Sequence, residues 1–294
     1  MKFIKLLLLL LLSGCQNYKT PDFDGNNALD LIKRQHLMGD RYPGTEGIEK
    51  LRSFIILSMK KCRGEVTTQK FDFTAFGEPQ KGENIIVKFY PDLGRRILLS
   101  AHYDTRKYAD KDPNEADRKL PVPGANDGGS GVAVLLEIAE ILSKNRPVLH
   151  GVDMIFFDGE DGGIYNESES WCCGSKYFSE NPLLDCPETS INIDMVGDSD
   201  QEIKMEYFSY SENPQYVLKL LTLAEKRDIS SFTKKISDPI IDDHYYLLKA
   251  GFPSVNIIDF DYKYWHTRED TPDKCSAESL KNVGQVVTDW IYEK

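Results

Sequence analysis

The sequence predicts a single α/β domain, with a mixed, mostly parallel central β-sheet and helices on both faces. Three observations predict it. Four apolar runs that end in polar residues, "RRILLSAHYDT", "GVDMIFFD", "TSINIDMVGD" and "FPSVNIIDF", alternate with segments of helical spacing, the pattern of parallel strands joined by crossover helices. Two alternating segments rich in β-formers, "GEVTTQKFDFTAF" and "ENIIVKFY", precede them and read as an antiparallel pair. Across 294 residues there is no repeat, low-complexity tract or linker, so residues 25–294 read as one domain.

Ahead of the domain, "MKFIKLLLLLLLSGC" has two lysines, an apolar run and a small-residue exit. The run is shorter than the roughly 20 residues of a membrane span and fits a secretory signal. The "LSGC" ending resembles a bacterial lipoprotein processing site. Residues 1–14 then form a signal peptide, Cys15 carries the lipid, and residues 15–24 form a polar tether. The expected location is an exported, membrane-anchored protein facing the periplasm or cell exterior.

The elements follow in order. "NNALDLIKRQHLMG" and "TEGIEKLRSFIILSMKKCRG" place apolar residues three and four apart and stop at Gly, as helices do. The antiparallel pair and the first central strand come next. Residues 106–123 are charged, contain Pro and lack a period, so they read as a long loop. "DGGSGVAVLLEIAEILSK" reads as a helix with a Gly/Ser start. Beyond the second central strand, "WCCGSKYFSEN" holds a short helix. The third strand leads to the helix "NPQYVLKLLTLAEKRD", the strand "SSFTKKI" and the short helix "DDHYYLLKAG". The last strand and "SAESLKNVGQVVTDWIYEK", a closing helix, end the chain.

Lys and Arg number 36 against 47 Asp and Glu, a net charge of −11. With no basic stripe to track a phosphate backbone, nucleic acid is not an expected partner. Of the six cysteines, setting Cys15 aside leaves an odd number, hence at least one free thiol. A bridge from Cys172 or Cys173 to Cys186 is one option for an exported chain, and no bridge is the other. There is no CxxC pair to suggest a thiolate zinc site, no GKS or GKT phosphate loop, and no G-x-S-x-G nucleophile elbow.

Ligands of open α/β sheets sit beyond the C-terminal ends of the parallel strands, and here those ends carry acid and imidazole. They deliver His102 and Asp104, then Asp127 before the next helix, Asp158, Glu160 and Asp161 in "FFDGEDGG", Asp194, and His266 in "YWHT". Asp242, Asp243 and His244 open the helix before the last strand. Each has an ordinary explanation alone: Asp127 as a helix cap, Asp194 as a solvated strand end, a lone His as surface. Together they form a cluster whose mutual repulsion calls for a cation. Histidine with carboxylates and no Cys suits zinc with an open position better than Mg or Ca.

"AHYDTR", "PGANDGGSGVAVLLEIA", "FFDGED", "INIDMVGD", "DDHYYLLKAGFPSVNIID" and "YWHTREDTPD" occur in the order of the zinc-dependent aminopeptidase superfamily, from about Arg96 to the C-terminus. Within it, "HYDTRKYADKDP", "SWCCGSKYF" and "YWHT" resemble the bacterial glutaminyl-peptide cyclotransferases of the animal type. The resemblance implies a helix-sandwiched mixed sheet and one zinc held by Asp127, Asp161 and His266. Many relatives have Glu at the place of Asp161, a mild departure that keeps oxygen ligation. It further implies Glu160 as general base and acid, Asp194 and Asp242 as a hydrogen-bonded acidic pair beside the substrate amine, and Trp265 and Trp171 as pocket walls. The implied activity converts N-terminal Gln of peptides or proteins to pyroglutamate, with the membrane met only through the lipid. The alternative is a two-zinc aminopeptidase, with His102, a bridging Asp127 and Asp194 holding the second zinc. A binding protein on an inactivated fold is a third option, and the complete ligand set with Glu160 argues against it.

Overall fold

A computed structural model describes residues 20–293. The signal peptide, Cys15 and the tether up to residue 19 lie outside the described residues. Among the described residues no helix is long and apolar enough to cross a membrane.

The chain opens with α1 (Gly25–His36) and α2 (Glu46–Lys61), then β1 (Glu65–Ala75), β2 (Glu78–Phe89) and β3 (Arg95–His102). After the 106–123 loop come α3 (Gly129–Lys144), β4 (His150–Phe157), α4 (Cys173–Glu180) and β5 (Thr189–Asp194). The remainder is β6 (Ile203–Met205), α5 (Tyr207–Glu212), α6 (Pro214–Lys226), β7 (Phe232–Ile236), α7 (Asp243–Lys249), β8 (Ser254–Ile258) and α8 (Ala277–Tyr292). The main sheet has the order β1-β2-β4-β3-β5-β8. β1 and β2 run antiparallel at one edge, and β2 is antiparallel to β4. β4, β3, β5 and β8 are mutually parallel. Their C-terminal ends therefore lie on one side of the sheet, where the site forms.

The two-residue period of a strand divides the core. Ile97, Leu99 and Ala101 of β3, with Val152, Met154 and Phe156 of β4, join the cluster under α1, α2, α3 and α8. Leu98, Ile155 and Phe157 face the other way, onto Phe178 of α4 and Leu247 of α7. Both faces are thus covered, as a largely parallel sheet requires. Side chains cap several helices: Asp24 accepts from Asn26 and Asn27 in α1, Thr45 from Ile48 in α2, and Ser276 from Glu278 and Ser279 in α8.

Two details depart from the sequence reading. β7 pairs with the three-residue β6 in a separate parallel ribbon rather than extending the main sheet, and α5 follows β6 directly. The five cysteines among the described residues are free thiols: Cys172 faces Glu160, whereas Cys186 faces the Pro187 and Gly251 carbonyls.

Candidate active site

Four parallel strands and the turns leaving them bring His102, Asp127, Glu160, Asp161, Asp194 and His266 together. Asp127 does not cap α3, whose first turn is opened by Gly128 at φ +75° without a side-chain cap. A Cβ at that glycine would press on the Asp104 carbonyl and the His102 ring, so only Gly lets the turn bring Asp127 over the sheet. Met195, after Asp194, and His266 itself also hold positive φ, 46° and 55°. Such backbone is uncommon outside Gly and is concentrated at functional sites.

The buried side chains form two groups that share Asp127. In one, His266 Nε2 lies 3.0 Å from Asp161 Oδ1 and 3.5 Å from Asp127 Oδ2. In the other, His102 Nε2 lies 3.2 Å from Asp127 Oδ1 and 3.1 Å from Asp194 Oδ1. Within each group the donor atoms all lie within 4.8 Å of one another. Asp127 Oδ2 and Asp161 Oδ2 are buried with no hydrogen-bond partner, a costly state for carboxylates unless a cation sits between them. Imidazole plus carboxylate, with an open face toward a pocket, fits zinc.

Electrostatics report the same excess of negative charge. Burial raises the Asp127 carboxyl, and the charges of Asp161 and Asp194 raise it further. Burial pulls the His266 imidazolium down, but Asp161, Asp110 and Asp127 outweigh it and lift its pKa to about 9. His102 is likewise raised despite burial, by Asp194, Asp104 and Asp127. Burial also works against the Asp161 carboxylate; His266 and Arg106 overcome it and hold Asp161 below the usual range. Glu160 is pushed well up by burial and then by Asp161, Asp242 and Asp243, with His102 opposing.

Supporting groups fix these positions. Asp104 accepts from the backbone N–H of Glu160 at 3.0 Å and of Asp161 at 3.1 Å. Asp270 accepts from Asn126 N at 2.8 Å and Asp127 N at 3.1 Å, and from the Tyr262 hydroxyl. Asp158 is a support: its Oδ2 accepts from Arg52, Tyr103 and the Glu83 backbone N–H, each at 2.9 Å. Behind His266, Nδ1 meets the Tyr165 hydroxyl at 3.1 Å and Asp110 Oδ1 at 3.6 Å. Arg106 holds the other Asp110 oxygen and also donates to the Asp161 and Gly163 carbonyls. Asp104 was visible at a strand end without a role. Asp110 falls within the "HYDTRKYADKDP" motif without a role of its own, and Tyr165 sits in an aperiodic loop that gave no signal. For Asp270 the one available clue was the "REDTPD" run.

The groups open into a cavity of about 420 Å³, whose lining includes Glu160, Asp242, Tyr165, Trp171, Ile240, Phe260 and Trp265. Trp171 lies parallel to the His266 ring, 5.9 Å away at 5°, and Trp265 contacts it at 4.0 Å. Arg106 sits over the Trp171 ring. The Cys172 thiol donates to Glu160 Oε1 at 3.2 Å. Asp194 and Asp242 both line the cavity, but the bonds that hold them go elsewhere. Asp194 faces His102, whereas Asp242 accepts from Asn192, Asn256 and the Asp243 backbone N–H. After burial, the Asp194 charge is the strongest influence raising Asp242. His244 turns away from the cavity to Glu206.

Fold and site define an α/β enzyme whose buried Asp and His groups, gathered at the C-terminal ends of its parallel strands, are suited to a metal. The model of peptidase family M28 matches residues 84–291, and the chain belongs to that family. It is 30% identical over 257 residues to aminopeptidase YwaD of Bacillus subtilis, covering 81% of this chain and 51% of that protein, so it spans about half of that relative. The glutaminyl cyclase of Bacteroides thetaiotaomicron, solved bound to N-acetylhistamine, superposes with TM-score 0.90 at 34% identity, over 94% of this chain and 100% of that one. The Tannerella forsythia glutaminyl cyclase does so with TM-score 0.90 at 35% identity, over 93% and 100%.

Proposed function

We propose that this site cyclises the N-terminal glutamine of peptides or proteins to pyroglutamate and releases ammonia. The observation that carries the reading is the aromatic slot over His266. Trp171 and Trp265 both lie against the imidazole and line the cavity, apolar walls suited to a flat carboxamide folded back toward its own amine. Likeness to two bacterial glutaminyl cyclases over nearly their whole length supports it.

Asp127, Asp161 and His266 would hold one zinc. When bound there, zinc supplies a Lewis acid for the carboxamide oxygen and positive charge that favours the ionised carboxylates around it. Glu160 borders the cavity next to Asp161, with one oxygen steadied by the Cys172 thiol. It takes a proton from the α-amine, which attacks the side-chain carbonyl carbon. Glu160 then returns the proton to the departing nitrogen as the old C–N bond breaks and ammonia leaves. Asp242, fixed by Asn192 and Asn256, and Asp194 orient the amine. Both reacting groups belong to one residue, so the pocket chiefly fixes geometry and excludes water.

A second reading, hydrolysis by a two-zinc aminopeptidase, is favoured by one observation: His102, Asp127 and Asp194 are also assembled. Purified chain incubated with Gln-Xaa and Leu-Xaa peptides separates the two. Ammonia without new amines, at one zinc per chain, is the expected result; free amino acid at two zincs would overturn it. Glu160→Gln should lower turnover by roughly 10²–10⁴-fold with zinc retained, and an active variant would remove Glu160 from the chemistry.

A further inference from the structure

The 106–123 loop places a third residue at the site, after Arg106 and Asp110. The Lys111 backbone N–H donates to the His266 carbonyl at 3.1 Å, pinning the loop beside the cavity. Its ammonium reaches over two rings that line the cavity, 4.5 Å from the Tyr165 centroid and 5.7 Å from that of Trp265. Its neighbours are committed: Arg106 to Asp110, and Lys107 to Glu78 at 3.3 Å. Lys111 is exposed and, among the described residues, has no carboxylate partner. Aromatic faces hold an ammonium in place while leaving its N–H donors free. The surroundings sharpen the point. The chain carries −11 and the cavity is lined by Asp127, Glu160, Asp161, Asp194 and Asp242, so an ammonium with no carboxylate partner beside it is a favourable place for a substrate carboxylate.

We propose that Lys111 is a specificity-determining residue that binds a carboxylate just beyond the substrate's N-terminal residue. The inference rests on the reading of the cavity as a peptide N-terminus site, and it holds for cyclisation and hydrolysis alike. The carboxylate is either an acidic second side chain or the free C-terminus of a dipeptide.

The test measures kcat/KM on metal-loaded full chain for Gln-Ala-amide, Gln-Glu-amide, Gln-Lys-amide and Gln-Ala acid, with the Leu- series run in parallel. Binding of the same peptides to Glu160→Gln is measured alongside. The readout is the preference for Gln-Glu-amide over Gln-Ala-amide within each protein. It should be about two- to fivefold in favour of the acid, the scale of one exposed ion pair. It should invert in Lys111→Glu and shrink as salt rises. Preference for Gln-Ala acid over its amide reports the C-terminal source, and preference for Gln-Glu-amide the side-chain source. Equal handling of acidic and neutral peptides, or the same ratio in Lys111→Glu, overturns the proposal while leaving the function standing. If no peptide of either series binds or turns over, the function and the inference both fall.

Discussion

Asp104 and Asp270 perform the same task for two different loops of the site. Each carboxylate takes the backbone N–H groups of two consecutive residues, Glu160 and Asp161 for one, Asn126 and Asp127 for the other. Each therefore fixes a loop that carries a candidate ligand. Asn in either place offers one acceptor and opposes an NH2 to the second backbone donor. Asp104→Asn and Asp270→Asn should each cost about 1.5–3 kcal/mol, the scale of a hydrogen bond to a charged group, and should lower zinc content. Calorimetric melting with zinc counted per chain checks this; unchanged melting and full zinc loading would show that the clamps are incidental.

Metal binding at His266 should release a proton. With its pKa lifted to about 9, the ring is charged at neutral pH before metal arrives, and a ligating imidazole must be neutral. Zinc affinity should therefore rise as pH rises toward 9 and fall below it, with protons released on binding. Titration calorimetry in buffers of different ionisation enthalpy reads the proton count; no release at pH 7 would contradict the assignment. Asp110→Ala, which removes a partner from the outer nitrogen of the same ring, should weaken zinc about 10–100-fold in chelator competition.

Gly163 sets where Trp171 stands. A Cβ on Gly163 would overlap the indole of Trp171, so Gly163→Ala must push that ring off His266. The expected result is a several-fold rise in KM with zinc still bound and a change in tryptophan fluorescence. An unaltered KM with shifted fluorescence would mean that this wall does not touch substrate.

Far from the chemistry, Glu206 ties three segments together. It accepts from Phe208 and Ser209 in α5, from Ile240 before α7, and from His244. Burial works to raise its carboxyl, but His244 and Ser209 outweigh it and hold the pKa down at about 2. A depressed folded-state pKa contributes stability that is present above about 4.5 and lost as pH falls toward 2. Wild type should weaken across that window, while Glu206→Gln should be flatter there and less stable at pH 7 by about 1.5–3 kcal/mol, the scale of a hydrogen bond to a charged group. Urea midpoints against pH decide; parallel curves would exclude the pair as the acid-sensitive element.

The main strands and longer helices were legible because their periods are long and their ends are marked by Gly, Pro or capping residues. The parallel strand ends pointed to where the acids and histidines would meet, since one sheet carries them all on the same side. β6 was not legible: three residues, Ile203–Met205, are too few to show a period, and its pairing took β7 out of the expected sheet. Asp270 and Asp110 escaped for another reason. Their partners are backbone N–H groups and the far side of a ring, and neither leaves a mark in a side-chain pattern. The resemblance implied a direct Asp194–Asp242 pair, whereas their main bonds run to His102 and to two asparagines. Asn192 and Asn256, adjacent inward-facing positions on β5 and β8, read only as strand residues in the sequence.

Asp127 belongs to both of the candidate metal groups that contain a histidine, one oxygen toward each ring. That sharing makes the two positions interdependent. A cation drawn in on the His266 side pulls on the same carboxylate that a cation on the His102 side would need, so filling one changes the terms on which the other can fill.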